Sequence, residues 1–464
     1  MARPLDALPK AHLHLHFTGA MRHSTLVELA AARGVHLPDA LVTEWPPRLS
    51  GTDERGWFRF QRLYDIARSV VRTEADVHRL ILEAATDDRD EGSGWLEIQV
   101  DPSGYAARFG GLTPTVELVL SAAAEAAEAT GVGVGVIIAA NRTRHPLDAR
   151  TLARLAAAYA GRGVVGFGLS NDERRGAAAD FAPAFRIAAR GGLMAVPHGG
   201  ELSGPASVRA CLEELHADRI GHGVAAATDG DLLERIASAR VTLEVCPSSN
   251  VALGVAATPA DVPLRPLLDA GIGVALGADD PLLFGRRLTA QYQLARKAHG
   301  MSDSELAELA RMSVRGSVAP AAVRQRLLAG IDGWLASPEA AAPAQALPSR
   351  PGDSGPGRRP RPCPPGLVTS ERYAGASRAS RILTALTPIL APVSSPVVSR
   401  ISMSHTVEGV AHTQSQAFSV LPHASMPPCG PGGSLVYVYD GSSIALIAAA
   451  GRNLPSKPTK ATER

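Results

Sequence analysis

The sequence predicts a (β/α)8 barrel, with a helical insertion after its first strand and a largely disordered C-terminal tail. Three observations predict it: eight short apolar, β-rich runs alternate with longer segments of helical period through about residue 335, polar residues fall at the ends of those runs, and the composition changes near Ser337. Such alternation marks repeated βα units around a parallel sheet, and eight of them favour a closed barrel over an open doubly wound sheet.

The predicted strands are residues 12–17, 95–101, 132–139, 164–170, 193–198, 219–222, 241–246 and 273–279. Between them, residues 73–90, 115–130, 147–161, 206–217 and 230–239 carry Leu, Ala and Val every three or four positions, the period of a helix with one apolar face. Residues 20–93 form a long first excursion. Its stretch 53–72, with Trp57, Phe58, Phe60 and Tyr64, reads either as a lid over the rim or as a packing helix. Three closing helices are expected at 288–300, 302–313 and 321–329, the last preceded by Pro320, which a helix start tolerates.

These elements place the barrel at residues 1–336 and leave 337–464 as a Pro-, Ser- and Ala-rich tail. Of 35 prolines, 18 lie from Pro338 onward, where 12 Lys and Arg face 6 Asp and Glu. Low order is expected there, with one short hairpin at 434–447 around Asp440 and Gly441. The whole chain has 47 basic against 45 acidic residues, so no general field draws nucleic acid or an anionic membrane to it. No apolar run approaches the roughly 18 residues of a membrane span, and the N-terminus lacks the apolar run of a secretory signal. Cys211, Cys246, Cys363 and Cys429 show no paired short spacing, which fits a reducing, cytoplasmic setting.

Chemistry concentrates at the strand ends. In AHLHLHFTG (11–19), period-2 alternation puts His12, His14 and His16 on one face. Three imidazoles crowded in a core need polar partners, and a metal is the simplest. HGGE (198–201) ends the fifth run with His198 and Glu201, RIGHG ends the sixth with His222, and ALGADDP ends the eighth with Asp279 and Asp280. Three imidazoles and one carboxylate can leave a coordination position open to water, the arrangement of a catalytic zinc site, where the bound water's pKa falls to about 7. His14, His16, His198 and Asp279 are the expected ligands of one Zn2+. His222 and Asp280 would orient and deprotonate the water, and Glu201 would give a proton to the ring atom next to the attacked carbon.

The motifs PKAHLHLHFTGA (9–20), VVGFGLSNDE (164–173), HGGE (198–201), RIGHGV (219–224), EVCPSSN (244–250) and ALGADDPLLF (275–284) resemble, in order and spacing, those of the adenosine and adenine deaminases of the amidohydrolase superfamily. The resemblance covers residues 9 to about 285, more weakly to 335, and none of the tail. It implies a (β/α)8 barrel, one zinc ion and hydrolytic loss of the 6-amino group of a purine as ammonia. It carries the ligand role onto His14, His16, His198 and Asp279, proton donation onto Glu201, hydroxide orientation onto His222 and purine N7 contact onto Asp280.

Departures from the family pattern bear on the substrate. Thr18 stands where an acidic residue usually binds ribose, and Asn171 where a glycine N–H usually meets purine N3. Glu97-Ile98-Gln99 replaces the usual Glu-x-Arg, and His12 replaces a first-strand Glu. His16, Thr18, Asn171 and Asp280 are therefore the expected substrate contacts. The leading expectation is a purine nucleoside, adenosine or deoxyadenosine; the alternatives are adenine or another N9-substituted adenine, and a non-catalytic nucleoside-binding protein. A two-metal hydrolase would need a bridging Lys or further acid, and Phe167, Gly168 and Leu169 stand at the fourth strand's end instead.

Overall fold

The computed structural model describes residues 2–337 and four strands beyond them. Eight strands form a parallel sheet in chain order: β1 (Lys10–His16), β2 (Ser93–Val100), β3 (Gly133–Asn141), β4 (Val164–Ser170), β5 (Met194–Gly199), β6 (Arg219–His222), β7 (Thr242–Val245) and β8 (Val274–Leu276). Leu15 bridges in parallel to Asp279, which returns the sheet to β1. His16 N donates to Asp279 O and Asp279 N to His14 O, each at 3.0 Å. Helices follow the strands, as expected of a βα barrel. Strands covered in this way are buried on both faces, which is why Leu96, Ile98, Ile137, Phe167, Val196 and Leu243 are fully buried without a polar alternation to mark them.

β8 is shorter than expected because Asp279 has φ of 62° and leaves the extended conformation. His222 (φ 62°), the last residue of β6, and Asn171 (φ 80°), the residue after β4, do the same. Left-handed backbone is costly for residues with a Cβ, and here it falls at three polar positions of one rim.

The histidine face of β1 needs correcting. The pairing of β1 with β2 shifts register between His12 and Leu15, so simple alternation fails there. His12 bonds the outer helix Glu74–Asp90 instead: its Nδ1 donates to Asp88 at 2.9 Å, and its Nε2 accepts from Ala278 N at 3.1 Å. Both ring nitrogens are thus satisfied, and His12 is a core histidine.

The insertion after β1 holds helices His23–Ala32, Glu54–Val70 and Glu74–Asp90. Asp53 caps the second of these by accepting from Gly56 N at 2.8 Å. That helix buries Trp57, Phe60, Leu63, Ala67 and Val70 along one stripe, and Phe60 stacks on Phe284 after β8 with ring centroids 5.9 Å apart. Each large buried side chain contributes about 1.5–3 kcal/mol, so the helix is anchored as a wall of the rim.

After β8, helices Leu288–His299, Asp303–Gly316 and Ala321–Ala336 complete the barrel, the second packed against β8 and β1. Ser302 and Glu305 form a capping box at the start of the second, and Ser313 in its last turn accepts from Ala11 N of β1 at 3.1 Å. In the tail, Ser434–Tyr439 pairs antiparallel with Ile444–Ala449, the hairpin expected there. A second pair, Ile401–Val407 with Val410–Gln416, was not expected, since Ser, Thr and His interrupt its apolar alternation. Low order in the rest of residues 337–464 is an expectation outside the described residues.

Candidate active site

The strand ends bring the predicted residues to one place. His16 Nε2 lies 3.2 Å from His198 Nε2 and 3.4 Å from Asp279 Oδ1, while His14 Nε2 lies 3.8 Å from the same oxygen. The ligand atoms of His14, His16 and His198 are all within 4.8 Å of one another. Two nitrogens about 2.0–2.1 Å from a shared tetrahedral ion stand roughly 3.4 Å apart, so this spacing fits one metal. His14 Nε2 is buried with no hydrogen-bond partner, the expected state of a nitrogen reserved for an ion. A Cβ on Gly277 would come within 2.6 Å of His14 Cβ, so only glycine lets β8 pass this close.

The charge states suit a cation. Burial pushes His16 down to about 4 and His198 well below the usual range, which leaves their lone pairs free. Burial opposes ionisation of Asp279, yet the imidazoles of His222, His16 and His14 hold its carboxyl below the usual range. Cys246 also lies near His14 and Asp279, but burial and the surrounding carboxylates push its thiol well up, so it is a poor ligand.

Glu201, His222 and Asp280 complete the cluster. Glu201 Oε2 lies 3.5 Å from His222 Nε2. Burial raises Glu201 well above the carboxylate range, with Asp279, Glu173 and Asp280 adding to it; burial and then Asp279 do the same to Asp280. The adjacent Asp279 and Asp280 are thus pulled in opposite directions, the first down and the second up.

A pocket opens over the cluster, lined by His16, His198, Glu201, His222, Asp279 and Asp280 at one side. The helix Glu54–Val70 supplies Trp57, Phe60, Gln61, Tyr64 and Arg68 to its wall. The two alternatives for that segment thus coincide: it packs and it covers the site. Thr18 and Asn171 line the same pocket, but both side chains are already engaged. The Thr18 hydroxyl bonds Tyr105 Oη, and Asn171 Nδ2 donates to Gln61 Oε1 at 3.2 Å.

Two supporting groups escaped the sequence reading. His14 Nδ1 bonds Glu244 Oε2 at 2.7 Å, and Glu244 Oε1 accepts from Arg219 Nε at 2.6 Å. Arg219 continues to Glu97, which also accepts from Trp95 Nε1 and Val318 N at 2.8 and 3.0 Å. His14, Glu97, Arg219 and Glu244 are fully or almost fully buried. The second group is Glu173. Its carboxylate accepts from the N–H groups of Gly200, Glu201, Leu202 and Ser203 and from the Ser207 hydroxyl, so it holds the turn that carries Glu201. For Glu97 and Glu244 the signal was present, since a lone charge inside an apolar run is rarely buried without a partner; Glu173, among Asp172, Arg174 and Arg175, carried none.

Residues 9–334 match the family described as adenosine deaminase. The chain belongs to the adenosine deaminase family. These enzymes are hydrolytic deaminases acting on C–N bonds and depend on a metal. A Streptomyces virginiae protein named as an adenosine/adenine deaminase is 66% identical over 334 residues, covering 72% of this chain and 98% of its own. Among solved structures, adenine deaminase from Arthrobacter aurescens matches with a TM-score of 0.66 and 29% identity, over 71% of this chain and 99% of its own. An Arabidopsis protein, ADAL, solved with IMP, matches with a TM-score of 0.62 and 26% identity, over 71% and 97%.

Proposed function

We propose that this chain removes the 6-amino group of an N9-substituted adenine, adenosine or deoxyadenosine in the simplest case, giving inosine or deoxyinosine and ammonia. The observation that carries the reading is the extent of the pocket beyond the cluster. Thr18, Gln61, Asp101, Tyr105 and Asn141 give its outer part polar walls, and Gln61, Arg68, Asn141 and Asn171 continue it into an adjoining outer cleft. A bare base at the cluster would leave that part to water.

His14, His16, His198 and Asp279 would hold one zinc ion, a choice that suits imidazole and carboxylate donors. When bound, the ion supplies Lewis acidity and lowers the pKa of water toward about 7. Glu201, held protonated by burial, donates its proton to N1 beside the attacked C6. His222, driven down to about 3 by burial, stays neutral and orients the attacking water. Asp280 keeps its proton and donates it to purine N7, a role its raised pKa suits better than that of a base.

A second reading, adenine itself, is favoured by Thr18, whose hydroxyl is taken by Tyr105. The name of the Arthrobacter relative supports it. Ammonia release from adenosine, deoxyadenosine and adenine, measured with one zinc per chain, separates the two. Turnover of adenine alone would favour the second reading.

A further inference from the structure

Resting on the reading that the substrate is N9-substituted, we propose that its substituent carries an anionic group, a carboxylate or phosphate, received by Arg68. Arg68 is the sole Lys or Arg among the residues lining the pocket. It also lines the adjoining outer cleft, together with Trp57, Gln61, Asn141 and Asn171, and so stands at the passage between the two. With C6 of the purine against the cluster, a substituent on N9 is directed toward that passage.

The guanidinium is held but not saturated. Nη1 bonds Asp65 Oδ1 at 2.7 Å, an i,i+3 pair whose acid is 61% exposed, and such surface pairs are weak. Among the described residues Nη2 makes no hydrogen bond and is the donor left for an anion, while Nε is buried beside Gly104. The group lies 5.0 Å from the Tyr64 ring centroid, and a Cβ on Gly104 would come within 3.0 Å of Nε, so glycine there leaves room for it. Asp101 accepts from Ser103 N at 2.9 Å and from the Ser103 hydroxyl, and neither it nor Asp280, Glu54 or Asp172, which line the pocket and the cleft with Arg68, bonds the guanidinium. An Arg with an unused donor matches the planar oxygens of carboxylate and phosphate, and a neutral sugar does not use its charge.

The test compares kcat/KM for adenosine, adenosine 5′-monophosphate, the 5′-carboxylate of adenosine and adenine, in the wild type, Arg68→Met and Arg68→Lys. One or both anionic compounds should exceed adenosine by roughly tenfold or more, the size of one charge-assisted hydrogen bond. The anion-to-adenosine ratio should fall by about the same factor in Arg68→Met and less in Arg68→Lys. Phosphate and carboxylate arms show which anion is taken. Adenosine preferred over both anions, or a ratio unchanged in Arg68→Met with its fold intact by circular dichroism, overturns the anionic assignment and leaves the deaminase reading standing. Turnover confined to adenine overturns the N9-substituted reading as well.

Discussion

The turn carrying Glu201 is held by a single carboxylate, and Glu173→Gln tests what that hold contributes. Glu173 Oε2 accepts from Glu201 N at 2.9 Å, Leu202 N at 2.6 Å and Ser203 N at 3.0 Å, while Oε1 faces Gly200 N and the Ser207 hydroxyl. Glutamine has the same shape but only one acceptor oxygen. With that oxygen toward the three N–H groups, the amide NH2 confronts Gly200 N–H. Ser207 can rotate to accept, but Gly200 cannot. One buried backbone donor is left unsatisfied, at a cost of about 1–3 kcal/mol, and the other bonds lose their charge assistance. The turn relaxes, and Glu201 loses its aim on the purine. A drop in kcat of roughly 10- to 100-fold is expected, with KM changed less than about threefold and zinc content unaltered. Glu173 also helps to raise Glu201, so its neutralisation lowers that pKa. Because the acid works only while protonated, activity is lost as pH rises through that pKa, and the alkaline limb of the kcat profile moves to lower pH. Glu173→Asp, which keeps the charge, should recover part of the rate. A kcat within twofold of wild type, or a loss that tracks zinc loss, refutes the positioning role.

Further outcomes follow from the same geometry. Glu201→Ala should abolish ammonia release while zinc stoichiometry by atomic absorption stays at one; intact turnover removes Glu201 from the mechanism. Glu244→Gln should weaken zinc about 10- to 100-fold in chelator competition, because a metal-bound imidazole is oriented by its carboxylate partner, and an affinity within twofold contradicts this. Arg219→Met strands Glu97 and Glu244 without their cation and should cost about 3–5 kcal/mol in urea unfolding; a loss below about 1 kcal/mol shows that the carboxylates find other partners. Burial lowers Lys10 to about 8, so between pH 8 and the unfolded value near 10.5 the unfolded chain binds the extra proton and stability rises with pH. The stability of the wild type relative to Lys10→Met should therefore grow by up to about 3 kcal/mol across that window, and a flat difference refutes it.

The cluster was legible because its members lie at or near the C-terminal ends of strands. His14, His16, His198, His222, Asp279 and Asp280 stand at positions where alternation of strands and helices already predicts a shared rim, so local pattern and closure sufficed. What the sequence hid were relations between distant segments. His12 looked equivalent to His14 until a one-residue register shift separated them, and such a shift has no signature in composition. Thr18 could be read as a free hydroxyl only while Tyr105, 87 residues on, was out of view. Glu97, Arg219 and Glu244 were three unexplained charges on β2, β6 and β7, and only the closed barrel shows them as one chain with a net charge of −1. Glu244 faces His14 and accepts a hydrogen bond from Nδ1 of the ring. Nε2 is then left with its lone pair directed to the cluster. The geometry of the candidate metal centre is in this way set from the floor of the barrel, where Gly316 O and Val318 N hold Arg219 and Glu97, as much as from the rim. A substitution at that floor should therefore be felt first at His14 and only weakly at His16, which has no such carboxylate behind it.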